Sequence, residues 1–295
     1  MDTLQYTDEC GESTLSSDEE ITTPNVSSNI FTDSNTSTVN SKYDKSTSPI
    51  LQLHDITISY SQDTLPVLHI DNLIFPKGSF TSLIGKSGCG KSTLLNCIAG
   101  LITPKEGVID WCDSTNRTIT VGMVFQEPAL FPWMRVLDNV KIGLHSTSLT
   151  SREKNRLARD AINLVGLAGR ERAFPCELSG GMKQRAVLAR YLAAHCDLLL
   201  LDEPFSGLDQ FAREEMQELL MQLYLDRGLT CIFVTHSIVE ALYLGTRVVV
   251  LGGAPAGIVD IVEVDMPFPR PPESRLSMDG SLLREQLYQK LRLGK

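Results

Sequence analysis

The stretch that decides the fold is Gly85-Lys86-Ser87-Gly88-Cys89-Gly90-Lys91-Ser92-Thr93, which contains the pattern G-x-x-x-x-G-K-S. It follows Phe80–Ile84, which is predicted to be a buried strand, and precedes a segment whose apolar residues have helical spacing. Glycines in such a loop let backbone N–H groups converge on phosphate oxygens. Lys91 is then expected to reach the β- and γ-phosphates, and the Ser92 hydroxyl to help hold Mg²⁺. The stretch predicts a nucleotide-binding loop between a strand and a helix.

A second apolar run, Leu198–Leu201, ends in the acidic pair Asp202-Glu203. In a site that binds nucleoside triphosphates, such a strand carries its first carboxylate to the metal, so Asp202 is a candidate Mg²⁺ ligand. Glu203 is suited to orient or deprotonate the attacking water. An acidic pair after an apolar run is often only a strand end that meets solvent, but the phosphate loop favours the functional interpretation.

Charge and composition restrict the function classes. Residues 1–49 contain nine acidic residues against two lysines, and the chain as a whole carries a net charge of −9. The remainder is close to neutral and lacks a basic stripe, so we expect no nucleic-acid partner. The Ser/Thr-rich, acidic segment 1–49 cannot bury enough apolar surface to order itself and is predicted to be disordered. It is either a solvated tail or a regulatory, partner-binding one.

The seven cysteines are scattered and never have C-x-x-C spacing, which predicts reduced thiols rather than a zinc cluster or disulfides. No apolar run is long enough to span a membrane, and the first residues do not resemble a signal peptide. We therefore expect the chain to stay in the cytosol.

Strands alternate with helices from residue 50 onward, which predicts an α/β fold with a mainly parallel sheet. Residues 127–195 are mostly helical in pattern and are expected to form an insertion. A Pro-rich segment and a C-terminal helix over Leu282–Leu293 are predicted within 266–295.

The segment Leu178-Ser179-Gly180-Gly181-Met182-Lys183-Gln184-Arg185 opens a helix with a serine and two glycines, which is a second candidate anion site. It closely resembles the signature of ABC ATPases. Further pieces match that family in order over about residues 51–265: Gln126 resembles the Q-loop glutamine, Ser206–Asp209 the D-loop, His236 the switch histidine and Tyr60 the aromatic that stacks on adenine.

Each of those single residues also has a simpler interpretation. Gln126 could be a solvated loop residue, His236 a strand-end histidine with its hydrogen bonds satisfied, and Tyr60 a cross-strand packing residue. Their shared order around the two stronger motifs favours the functional interpretation.

The resemblance implies a P-loop NTPase core with an N-terminal antiparallel β subdomain and a helical insertion, within a domain over 50–265. It also implies a homodimer in which ATP lies between Gly85–Thr93 of one copy and Ser179–Gly181 of the other. The catalytic residues would be Glu203, His236 and Gln126, and the Mg²⁺ ligands Ser92, Gln126 and Asp202.

The stretches FQEPALFPWMRVLDNV (Phe125–Val140) and DMPFPRPP (Asp265–Pro272) resemble importer ATPases for nitrate, sulfonate, taurine or similar solutes. This implies a membrane permease as partner, indirect action with an extracytoplasmic solute-binding protein, and a peripheral location at the cytoplasmic face of the inner membrane. An exporter, or an ABC ATPase that works on DNA or ribosomes, is the alternative. Ser237 stands where such importers often have an acidic residue after the histidine.

Overall fold

The computed structural model describes residues 48–60, 65–112, 118–279 and 281–293. The predicted disordered segment 1–49 lies almost wholly outside these residues, and the first strand begins at Pro49. Within the described part of the chain, no helix is both long and apolar enough to cross a membrane.

The described strands form one nine-stranded sheet in the order β4-β1-β2-β9-β8-β3-β7-β6-β5. Their bounds are β1 Pro49–Ile58, β2 Leu68–Pro76, β3 Phe80–Gly85, β4 Glu106–Trp111, β5 Val121–Val124, β6 Leu198–Asp202, β7 Thr230–Val234, β8 Arg247–Gly253 and β9 Ala256–Glu263.

The helices cover both faces of the sheet, and the C-terminal helix has the bounds that the sequence predicted, Leu282–Leu293. They are α1 Lys91–Ile98, α2 Val136–Lys141, α3 Ser151–Leu164, α4 Gly180–Ala193, α5 Gln210–Arg227, α6 Ile238–Leu244, α7 Ser274–Asp279 and α8 Leu282–Leu293. The side chains of Ser179 and Asp209 accept hydrogen bonds from the first turns of α4 and α5 and cap these helices, and for α4 this is the start that the sequence predicted.

Five strands make the parallel half of the sheet, which confirms the predicted α/β fold. The strand β3 pairs in parallel with β7 and β8, and β6 pairs in parallel with β5 and β7. Every residue of β3, β6 and β7 is buried, as expected for strands covered on both faces. The carboxyl ends of β3, β5, β6 and β7 therefore meet at one edge, which is where ligands bind in open α/β sheets.

The antiparallel half lies on the other side of β8. The strand β1 pairs antiparallel with both β2 and β4, and β9 pairs antiparallel with β8. A short parallel pairing of β2 with β9, at Leu68 and Ala256, joins these pairs, so this half is continuous with the parallel half. The sequence did not predict β4, β5 or β9. The residues of β4 are mostly exposed and lack the apolar alternation of a half-buried strand, and β5 is only four residues long.

The helices α2, α3 and α4 lie between β5 and β6 in the chain and pack against one another. A capping box of Thr150 and Glu153 starts α3, whose buried residues Ala158, Ala161 and Ile162 face the common core. The limits 127–195 of the predicted insertion remain a prediction.

The C-terminal helices are attached to the same core. Met278 of α7 and Leu287 of α8 are buried. The buried guanidinium of Arg270 donates hydrogen bonds to the carbonyl oxygens of Tyr243 and Gly245, and burial lowers its pKa to about 10. Paired carbonyl acceptors let this cation lie inside the protein without a carboxylate partner.

Candidate active site

The predicted phosphate loop connects β3 to α1, but its limits differ from the sequence prediction. Gly85 is the last residue of β3, and α1 begins at Lys91, so Lys91–Thr93 form the first turn of the helix. The first backbone N–H groups of α1 have no partner within the helix and point out of its N-terminus, where they can bind an anion. Gly88 and Gly90 have φ angles of +77° and +93°, a region that favours glycine.

Lys91 lies inside this loop. Its side chain is buried, and its Nζ atom donates hydrogen bonds of 3.0 Å to the carbonyl oxygens of Gly85 and Lys86. The ammonium group is therefore held by backbone carbonyl oxygens of the loop, at the position where an anion would bind.

Gly85 is required by close packing as well as by the turn. A Cβ atom at this position would lie 2.6 Å from the Cys89 Sγ atom and 2.8 Å from the carbonyl oxygen of Leu251. Neither distance is compatible with a real side chain, so the half-buried Cys89 thiol fills the space that this glycine leaves.

A hydrogen bond joins the loop to the end of β6. The Ser92 hydroxyl donates to Asp202 Oδ1 over 2.9 Å. Burial raises the pKa of Asp202 above its ordinary value, and the neighbouring Glu203 raises it further, while Ser92 and Lys91 lower it. Both side chains present oxygen atoms, the ligands that Mg²⁺ takes in sites that also use substrate phosphates.

The oxygen atoms of Ser92 and Asp202 fit a Mg²⁺ ion that takes most of its ligands from nucleotide phosphates and water. Among the described residues, no group of three or more His, Cys, Asp or Glu side chains could hold a metal ion. One carboxylate and one hydroxyl agree with the habit of Mg²⁺ to keep few protein ligands and take phosphate oxygens as the others.

Glu203 has a strained backbone. Its φ angle is +44°, which is uncommon for a residue with a side chain and costs on the order of 1–3 kcal/mol. The conformation is held by a 3.1 Å hydrogen bond from its backbone N–H to the carbonyl oxygen of Val234, the last residue of β7. The carboxylate then lies 3.4 Å from the Nδ1 atom of His236.

The histidine that follows β7 is supported by Thr235, Ser237 and Glu240, of which the sequence singled out only Ser237. The Thr235 hydroxyl donates to the carboxylate of Glu240 and accepts a 3.0 Å hydrogen bond from the Ser237 backbone N–H. The Ser237 hydroxyl accepts from the Glu240 N–H and caps α6. Ser237 thus caps α6 as an acidic residue at this position would. The exposed imidazole of His236 lies beside the Glu203 carboxylate.

Gln126 follows β5, so it lies at the same edge of the sheet. Its side-chain amide donates a 3.1 Å hydrogen bond to Ser206 Oγ. The backbone N–H of Ser206 in turn donates to the carbonyl oxygen of Glu203 over 3.0 Å. The side chain of Gln126 therefore contacts the segment that follows Glu203. No hydrogen bond described for Gln126 reaches Ser92 or Asp202.

Tyr60 lies after the end of β1 and is 72% exposed. Its hydroxyl makes a 2.8 Å hydrogen bond with Thr93 Oγ1 in the first turn of α1. The exposed ring does not pack across the sheet, so the alternative that Tyr60 is a cross-strand packing residue does not fit.

The signature residues lie at the start of another helix. Ser179 precedes α4 and its hydroxyl accepts a hydrogen bond from the Met182 N–H, while Gly180 is exposed. Ser179 and Gly181 line a cavity of about 340 Å³ whose wall includes none of the residues Gly85–Thr93. One chain therefore brings together the phosphate loop, Asp202, Glu203 and His236, but not the signature residues.

Comparisons with known proteins agree with this geometry. A family profile described as ABC transporter matches residues 68–206. The aliphatic sulfonates import ATP-binding protein SsuB of a Bacillus cereus strain is 38% identical over 248 residues, which are 83% of this chain and 96% of that protein. The chain belongs to the ABC transporter ATPase family.

Other relatives support the same membership. The taurine import ATP-binding protein TauB of Rhizobium johnstonii is 44% identical over 192 residues, which are 64% of this chain and 73% of that protein. The dimeric structure of MJ0796, a bacterial ABC transporter cassette, is similar with a TM-score of 0.63 and 29% identity over 73% of this chain and 99% of that one. The chain is thus an ATP-binding protein that hydrolyses ATP.

The position of Cys89 gives a test of the phosphate loop. An alkyl group added to its Sγ atom has to enter the loop, because Gly85 and Leu251 already close the other side. We expect N-ethylmaleimide to inhibit ATP hydrolysis and ATP to protect against this. The measurement is steady-state phosphate release, with mass spectrometry of the modified peptide.

Cys89→Ala is the matched control, because it keeps the other cysteines and should make the ATPase resistant to the reagent. Full activity after complete modification of Cys89 would contradict this placement of the thiol.

Proposed function

We propose that the chain is the ATP-hydrolysing subunit of an ABC importer that takes up a small solute such as a sulfonate, taurine or nitrate. The observation that carries the importer assignment is the similarity, over nearly the whole length of the relative, to a sulfonates import ATP-binding protein. The residues at the carboxyl edge of the sheet support ATP hydrolysis as the step that drives uptake.

The nucleotide would bind across the phosphate loop. The backbone of Lys86–Gly90 and the first turn of α1 would hold the phosphates, with the Lys91 ammonium group between the β- and γ-phosphates. The exposed ring of Tyr60 is free to stack on the adenine, and its hydrogen bond to Thr93 ties it to the same helix turn.

The residues that would hold Mg²⁺ are Ser92 and Asp202, with Gln126 joining them once its bond to Ser206 is exchanged. When bound, the ion neutralises charge on the β- and γ-phosphate oxygens. Asp202 is anchored at the end of a fully buried strand, so its carboxylate has a fixed position relative to the loop.

Hydrolysis requires a water molecule directed at the γ-phosphorus. The Glu203 carboxylate would accept a proton from this water as its oxygen bonds to phosphorus and the bond to the β-phosphate oxygen breaks. His236, 3.4 Å from that carboxylate, would donate a hydrogen bond to the γ-phosphate. The strained φ angle of Glu203 directs the carboxylate toward this point.

A second copy of the chain would complete the site. Of the signature residues at this helix N-terminus, Ser179 and Gly180 are exposed and Gly181 is half-buried, and the cavity lined by Ser179 and Gly181 includes no residue of the phosphate loop of the same chain. Helix N-termini bind anions, so the partner's Ser179 to Gly181 would contact the γ-phosphate. The dimeric cassette among the similar structures supports this arrangement.

The surface for the membrane permease would lie on the loop before α2. Phe131 and Trp133 are exposed there and contact each other edge to face at 5.5 Å. The loop is held from below, because the buried Asn139 amide donates to the carbonyl oxygens of Phe131 and Met134. An exposed apolar patch on a rigid support is typical of a protein interface.

As the ATPase subunit of an importer, the protein would act at the cytoplasmic face of the membrane, with a solute-binding protein on the other side.

Replacement of the proposed base tests the hydrolytic mechanism. Glu203→Gln keeps the size of the side chain but cannot accept the proton, so we expect kcat for ATP hydrolysis to fall by at least about 100-fold while ATP still binds. Phosphate release and nucleotide binding by equilibrium dialysis measure the two effects. Glu263→Gln, on the surface of β9, is the control and should keep full activity. Wild-type turnover in Glu203→Gln would show that another group activates the water.

The importer assignment is tested by uptake in the source organism. A deletion of this gene should abolish uptake of radiolabelled taurine, an alkanesulfonate or nitrate, and the wild-type chain should restore it while Glu203→Gln does not. Accumulation of a solute in the deletion strain, with uptake of all three unchanged, would indicate an exporter instead.

A further inference from the structure

A buried glutamine connects the signature helix to the segment that carries Gln126. Gln184 lies on α4, close behind Ser179–Gly181, and is 1% exposed. Its Nε2 atom donates hydrogen bonds to the carbonyl oxygens of Phe125 and Gln126, over 3.3 and 3.0 Å. Both neighbours are acceptors only, so the amide can face them only with its NH₂ group.

The same helix has a second fixed point on β5. A Cβ atom at Gly122 would lie 2.8 Å from the ring of Tyr191, so that ring packs directly against the backbone of the strand. Tyr191 lies two turns after Gln184 on the same side of α4. The helix is therefore held along β5 at Tyr191 and just beyond its carboxyl end at Gln184.

The anchored segment leads on to the proposed catalytic carboxylate. The side chain of Gln126 donates to Ser206 Oγ, and the Ser206 N–H donates to the carbonyl oxygen of Glu203. A chain of hydrogen bonds thus runs from α4 through Gln126 to the strained residue after β6. Gln184 links this chain of hydrogen bonds to the signature helix at Phe125 and Gln126, while Arg190 of α4 donates further along, to the carbonyl oxygen of Ala129. The Oε1 atom of Gln184 has no hydrogen-bond partner in the described residues.

We propose that Gln184 is a positioning residue, which makes the segment Phe125–Gln126 move with the helix that carries Ser179–Gly181. When those signature residues engage the nucleotide of a second copy, α4 would carry Gln126 to its place in the site. This inference rests on the proposed function, because it assigns to Gln184 the coupling between the two halves of the composite site. An apolar residue of similar size would fill the same space without an unpaired Oε1 atom, but it would remove the donors to the carbonyl oxygens of Phe125 and Gln126.

The test uses Gln184→Met, which keeps the length of the side chain and removes its hydrogen bonds. We expect kcat for ATP hydrolysis to fall about 10-fold with KM for ATP within about 2-fold of wild type, because the phosphate loop is untouched. Gln184→Glu should lose more, because its carboxylate would face two carbonyl oxygens. Val187→Ala is the matched control on the same helix, since it removes buried packing without touching a hydrogen bond; its kcat should stay within about 2-fold of wild type.

Two further measurements separate positioning from general destabilisation. If Gln184 acts through Gln126, the double variant with Gln126→Ala should be no slower than Gln126→Ala alone. Amide hydrogen exchange of the peptide around residues 125–130 should accelerate in Gln184→Met and not in Val187→Ala. Additive losses of kcat, or unchanged exchange in this peptide, would overturn the inference.

Failure of this inference is distinguishable from failure of the proposed function. If Glu203→Gln and Gln126→Ala both lower turnover while Gln184→Met does not, the composite site stands and only the role of Gln184 is wrong. If Glu203→Gln hydrolyses ATP at the wild-type rate, the proposed mechanism is wrong and the coupling assigned to Gln184 falls with it.

Discussion

The hydrogen bond from the Ser92 hydroxyl to the Asp202 carboxylate, 2.9 Å long, joins two parts of the chain that are 110 residues apart. It can form only because β3 and β6 run in the same direction with β7 between them, so that their carboxyl ends reach the same edge of the sheet. The rest of the site depends on this alignment. A strand of opposite direction at either position would move Asp202 to the far edge, away from the phosphate loop.

The strand β7, between β3 and β6, pairs with both and supports the catalytic residues at their ends. The last residue of β7, Val234, supplies the carbonyl oxygen that holds Glu203 in its strained conformation. The next two residues, Thr235 and His236, follow directly after β7, and the half-buried Glu240 of α6 accepts a hydrogen bond from the Thr235 hydroxyl. Burial raises the pKa of Glu240 above its ordinary value, and the hydrogen bond from Thr235 opposes this rise. Strain at Glu203 is thus supported by regular strand pairing rather than by a flexible loop.

The sequence predicted the parts of this arrangement that depend on local pattern. Three local patterns can be recognised without a structure: the glycine loop, the buried run Leu198–Leu201 before the acidic pair, and the capped start of α4. Glycine permits backbone conformations that other residues avoid, a continuous apolar run indicates a strand buried on both faces, and serine is a preferred residue just before a helix. The parallel sheet followed from the alternation of strands and helices. The homodimer, the Mg²⁺ ligands and the limits of the domains stay predictions.

Other features could not be predicted, because they depend on contacts distant in sequence. The strand β4 is mostly exposed and finds its place only by pairing with β1. The φ angle of Glu203 depends on Val234, and the engagement of Gln126 with Ser206 depends on the segment after β6. Gln184 lies within the signature-like stretch, but its contacts could not be predicted, because a glutamine within a helix is ordinarily a surface residue and only the structure shows that it is buried.

The central claim is that the ATP site is completed by a second copy of the chain. Sedimentation velocity of Glu203→Gln, which should bind ATP without hydrolysing it, tests this most directly. The account predicts that the protein sediments as a monomer without nucleotide or with ADP, as a dimer with ATP, and as a monomer under all conditions once Ser179→Arg is added. A protein that stays monomeric at saturating ATP, or a dimer that forms equally well with Ser179→Arg, would contradict it.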